Sequence, residues 1–176
     1  MLLDPRAILM FGANALLLHL TLMVDSALAG WSLYLFLLGP MVVFPALYLR
    51  HQSYFICTVA SGLWVDAALP SAFGLFTLSF LAAGALIFYL RIRFRAERNY
   101  HPVLIAHVLN AVFLFLLIAF EGSGRFGAIE FWMQCGMTLL LSHLTLLVVA
   151  PWFFNLQRAL FGICQLDIEP DDYPMV

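Results

Sequence analysis

What this chain has least of is charge. Asp, Glu, Lys and Arg together make up 10% of its 176 residues, and all eight Lys-or-Arg positions are arginine. A soluble domain carries about a quarter of its residues charged, so a water-exposed globule is excluded. No basic stretch exists outside short loops to grip a phosphate backbone, and nucleic acid is not an expected partner. Cys57, Cys135 and Cys164 lie far apart with no CxxC pair, which indicates neither a disulfide framework nor a zinc site. Catalytic signatures are missing too. There is no GxSxG and no HExxH, and GSGRFG at 122–127 lacks the lysine and preceding strand of a phosphate-binding loop. No enzyme and no cofactor are expected. The lack of an internal repeat leaves a transporter of two inverted halves without support.

What the chain has in abundance is apolar sequence: 64% hydrophobic residues and a mean hydropathy of +0.99. Crossing a bilayer core of about 30 Å takes about 20 mostly apolar helical residues. Six runs qualify, at 7–24, 31–48, 53–69, 72–90, 102–120 and 128–150. Barrel strands would alternate apolar and polar over about ten residues, and these runs are continuous. The expected fold is therefore all-α and polytopic, with residues 1–151 forming a six-helix transmembrane domain. Arg6 followed by an apolar run and Ala27-Leu28-Ala29 imitates a signal peptide. The run is too long for one and contains Asn14 and His19, so a retained helix is expected.

Arginine placement sets the orientation. With six spans Arg6, Arg50, Arg91, Arg93, Arg95, Arg98 and Arg158 fall on one side and only Arg125 on the other. The positive-inside rule then puts both termini in the cytoplasm. The loop bearing Arg91, Arg93, Arg95 and Arg98 is expected to anchor topology against anionic lipid headgroups, or to dock a cytoplasmic partner. Beyond Pro151, residues 152–176 are read as an interfacial helix with Trp152, Leu156, Ala159, Leu160 and Ile163 on its apolar face, then an acidic tail.

Polar groups at membrane depth cost a few kcal/mol unless paired, so each calls for a partner. His19 and Asp66 fall toward the outer ends of spans one and three and could form one pair. His107 and His143 fall in the inner halves of spans five and six, where Asn110 could share a partner with His107. Interhelical hydrogen bonds or polar anchors explain these histidines, and a metal would lack a third ligand. Gln134, Thr138 and Ser142 form an i, i+4, i+8 stripe suited to a neighbouring helix. Asp66 is the only charge between Arg50 and Arg91. It lies one turn below a hairpin tip made by little more than PSAFG, where its carboxylate can reach the unpaired N–H groups that open the next helix. Pro70 ends the first helix of that hairpin. Gly74 is expected to allow close approach of the second, and Gly62, Ala83 and Gly84 thin the helix faces enough to admit a neighbour.

The spacing of Gly62, Asp66, Pro70 and Gly74 in GLWVDAALPSAFGL, the following RIRFR loop and the closing LVVAPWFFNLQRALF resemble the rod shape-determining protein MreD family of bacteria. That resemblance implies a non-enzymatic component of the bacterial inner membrane that belongs to the cell-elongation complex. Such a protein binds MreC and works beside MreB, RodA and a penicillin-binding transpeptidase to direct lateral peptidoglycan synthesis. On this reading the Asp66 hairpin shapes the partner-binding surface. The rival is the substrate-binding membrane subunit of an energy-coupling-factor vitamin transporter. Its pocket near the outer face would be supplied by His19, Trp31, Trp64 and Asp66.

Overall fold

A computed structural model describes residues 4–95, 101–122 and 124–166, with side chains described except at 92–95 and 101. Arg98 and the acidic tail at 167–176 lie outside the described residues, and of Arg93 and Arg95 only the backbone is described. Among the described residues six α-helices run in order: α1 Pro5–Leu28, α2 Gly39–Tyr48, α3 His51–Ala68, α4 Leu75–Arg95, α5 His101–Glu121 and α6 Ile129–Ile163. No strand occurs among the described residues.

Three of these helical segments, Pro5–Trp31, Pro102–Glu121 and Ile129–Ile163, are long and apolar enough to cross a membrane. The surface has the matching polarity, since Leu78, Leu86, Leu104, Val148 and many other large apolar side chains are exposed. Inside, Asn14, Ser61, Asp66, Asn110, Ser142 and Gln157 are buried. An apolar exterior around a hydrogen-bonded polar interior is what a lipid solvent selects, and the chain is a membrane protein.

Each helix has local reasons for its ends. Pro5 opens α1, and the Asp4 side chain accepts a hydrogen bond from the Arg6 N–H at 3.0 Å. Asp4 also accepts a bond from the Ser53 hydroxyl and so ties α1 to the start of α3. After a 3-10 turn at Ala29–Trp31, Ser32 takes the left-handed conformation with φ 54° and breaks the helical path. The expected helix over 31–48 is therefore half helix: residues 33–38 carry no helix, and α2 begins only at Gly39 with Pro40 in its first turn.

This short helix is the centre of the molecule. Every residue from Gly39 to Leu47 is buried, and α2 touches all five other helices. It gets close to α5 because Gly39 has no side chain: a Cβ there would lie 2.0 Å from the Ala106 carbonyl oxygen. The α2 helix contains Pro45, whose missing N–H leaves the Met41 carbonyl without its intrahelical donor. The Asn14 amide supplies one from α1 at 3.0 Å.

Two expectations about packing change here. Gly84 does not admit a neighbouring protein, because Tyr54, Thr58 and Val42 of this chain already stand 3.1–3.6 Å from its Cβ position. Nor is there a separate interfacial helix beyond Pro151. Helix α6 continues through it for 35 residues, about 52 Å, and buries Phe153, Phe154, Gln157 and Phe161. Phe154 and Phe161 stack against Phe44 of α2 at 6.5 and 6.1 Å. That aromatic contact holds the distal half of α6 on the bundle, while Trp152 and Ile163 stay exposed on the other face.

Candidate functional site

The α3–α4 hairpin is built around one side chain. Asp66 is 4% exposed. Its Oδ1 accepts the Phe76 N–H at 2.8 Å, and its Oδ2 accepts the Thr77 N–H at 3.0 Å and the Thr77 hydroxyl at 2.5 Å. A carboxylate from one helix thus caps the first turn of the next, where unpaired N–H groups and the positive end of the helix dipole coincide. Gly62 lies one turn below Asp66 on the same face of α3. A Cβ at Gly62 would sit 2.6 Å from the Thr77 Cα. The glycine lets α4 come close enough for the aspartate to reach it.

At the tip, Pro70 and Phe73 are exposed. Gly74 has φ +97° and no atom within 4 Å of its Cβ position. Its role is therefore the left-handed backbone and not the close helix approach expected from sequence. Trp64, Phe73 and Leu78, at 52%, 75% and 70% exposure, surround the hairpin with large, mostly uncovered apolar side chains.

A second polar system, which sequence reasoning missed, serves the broken stretch before α2. Backbone groups outside a helix need partners wherever lipid excludes water. Asp25 of α1 accepts the Leu35 N–H at 2.6 Å, and Ser142 of α6 accepts the Phe36 N–H at 2.8 Å. Asn110 of α5 donates to the Phe36 carbonyl at 2.7 Å and accepts the Gly39 N–H at 3.2 Å. Gln134 donates to the Ser32 carbonyl at 3.2 Å. Gln134 and Ser142 of the α6 stripe thus meet a non-helical segment instead of a helix. Deeper in the bundle, Asn14 also donates to the Ser61 hydroxyl at 2.9 Å and accepts from Gln157 at 3.4 Å. The overlooked signal was the pair Pro40 and Pro45 inside one supposed span.

The expected polar pairs fare differently. His19 does not pair with Asp66: it is exposed, and both Asp66 oxygens belong to α4. The rings of His107 and His143 do meet, with centroids 5.2 Å apart. His107 Nδ1 lies 2.8 Å from the Val103 carbonyl, while its Nε2 is buried without a hydrogen-bond partner. Asn110 does not join them, because its amide is engaged by the non-helical segment. No group of three or more His, Cys, Asp or Glu side chains suited to a metal occurs among the described residues.

Arg91 is not part of an exposed basic surface. It is buried, donates to the Leu49 carbonyl that ends α2 at 3.1 Å, and places its guanidinium 4.1 Å from the Phe88 ring. The set His19, Trp31, Trp64 and Asp66 does not converge on a pocket either: Trp31 is 78% exposed, and Trp64 stands edge-on to Phe11 at 6.2 Å. No protein-family model, curated protein or solved structure matches the chain.

Proposed function

We propose that this protein is a six-pass scaffold of the bacterial cell-elongation complex, as its resemblance to the MreD family implies, and that it binds MreC through the α3–α4 hairpin. The observation that carries this reading is the Asp66 cap. It holds a two-helix corner in one shape through three hydrogen bonds, while Trp64, Phe73 and Leu78 stand exposed around it. A rigid corner with exposed aromatic anchors suits recognition of another membrane protein, because little side-chain or backbone freedom is lost on binding.

Six passes are supported by length as well as by the arginine bias. Helix α2 rises about 15 Å, and the non-helical residues 33–37 before it can add up to about 17 Å, so the two together can cross the core. Arg158 meets Tyr48 and Arg91 meets Leu49 at the end of the bundle opposite the hairpin, whereas Arg125 lies beside Glu121 at the hairpin end. This split supports a cytoplasmic location for both termini.

The test is copurification of MreC with a Phe73→Ser variant, which alters the exposed tip without touching the Asp66 bonds. A several-fold loss of MreC at unchanged membrane insertion is expected. Full retention removes the hairpin tip from the interface.

A further inference from the structure

At the hairpin end, between the non-helical stretch before α2, α5 and the start of α6, lies a cavity of about 510 Å³. Its volume falls within the roughly 300–1,000 Å³ range of small-molecule sites. Leu114, Leu117 and Ile118 form an apolar wall, and Asp25, Glu121 and Arg125 all border the space.

The hydrogen bonding of these three charges is incomplete. Asp25 uses one oxygen on the Leu35 N–H, and Glu121 uses one on the Ala72 N–H at 3.2 Å. Among the described residues, no donor meets the second oxygen of either carboxylate. Arg125 makes one long bond of 3.4 Å to the Glu121 carbonyl and stacks 5.3 Å from the Phe131 ring. It has no ion pair among the described residues. A purely cationic ligand would meet the guanidinium, and a purely anionic one would meet two carboxylates. A ligand of both signs can engage all three at once. The free carboxylate oxygens favour an ammonium that still carries N–H donors over a quaternary one.

We propose that this cavity binds a zwitterion joining a primary ammonium to an oxyanion, with an apolar tail. The ammonium lies toward Asp25 and Glu121, the oxyanion meets Arg125, and the tail rests on the α5 wall. Leu69 and Pro70 of the hairpin border the same space, so an occupant would touch the partner-binding corner as well. The site stands on its own geometry and does not depend on MreC.

Such a group can come from a lipid headgroup or from a soluble zwitterion. The experiment uses the full chain purified in detergent. Phosphatidylethanolamine, phosphatidylcholine and phosphatidylglycerol are titrated in turn by native mass spectrometry, and free O-phosphoethanolamine is tested by thermal unfolding. Phosphatidylethanolamine is expected to bind about tenfold more tightly than the other two lipids, the loss of one charge-assisted contact being worth about that factor. Glu121→Gln should remove the preference, while Arg125→Gln should weaken all three lipids alike, because they share the phosphate; both residues are exposed and outside the core, so neither change disturbs the packing. Arg158→Gln, at the opposite end of the bundle, should leave the preference intact. Stabilisation by free O-phosphoethanolamine would support a soluble source and a response to the lipid alone a bilayer source. Equal binding of the three lipids with no response to the free headgroup overturns the proposal, as does a preference that survives Glu121→Gln or lipid affinities that Arg125→Gln leaves unchanged.

Discussion

Replacing Asp66 by alanine tests whether one carboxylate holds the hairpin. The change deletes three hydrogen bonds at a side chain that is 4% exposed. Two backbone N–H groups then lose their acceptor, each at about 1–3 kcal/mol when buried. Thr77 is only partly buried, so water recovers part of its share, and the net cost comes to about 3 kcal/mol. At about 2–4 °C per kcal/mol for a chain of this size, the Tm in detergent should fall by about 6–12 °C. Asp66→Asn keeps one acceptor oxygen and should lose about half as much. The graded series Asp, Asn, Ala separates capping from mere volume, because asparagine fills the same space. If all three proteins melt within a degree of one another, or if asparagine is as damaging as alanine, the carboxylate does not brace the hairpin as described.

Other substitutions test the rest of the frame. Asn14→Leu leaves the Met41 carbonyl without a donor and also strips buried Ser61 and Gln157 of a partner, so it should cost about 3 kcal/mol or more. Adding Pro45→Ala returns a backbone N–H to that carbonyl, so the double variant should recover at least about 1 kcal/mol in an unfolding cycle; additive losses would contradict the assigned bond. Gly39→Ala drives a Cβ into the Ala106 carbonyl and should cost about 3 kcal/mol or more. Gly12→Ala, with open space around it, should gain about 0.5–1 kcal/mol, and equal melting of these two variants would refute the α2–α5 approach. Gly74→Ala should cost about 1–2 kcal/mol through its backbone alone, with Gly74→Asn milder; a normal melt for alanine would mean that the left-handed turn is not required.

Several features were legible in the residues themselves because their physics is local. Continuous apolar runs and scarce charge announce a lipid solvent, which every stretch of the chain meets independently. The Asp66 hairpin was legible for a related reason: Pro70, Gly74 and the carboxylate act within about ten residues of one another, so their joint consequence needs no knowledge of the remaining helices. The stripe Gln134, Thr138, Ser142 could be recognised as a contact face, though not what it would contact.

The break in the second span was settled only by tertiary structure. Hydropathy treats 31–48 as uniform, yet residues 33–38 leave the helix where Asp25 on the preceding helix and Asn110 and Ser142 from two distant helices satisfy the backbone groups they expose. Arg91 followed the same logic, drawn inward by the Leu49 carbonyl, as did buried Gln157, which donates to Asn14 of α1. The solvent a segment must satisfy can be read from its own side chains. The partner that completes a buried polar group depends on which remote helix packs beside it.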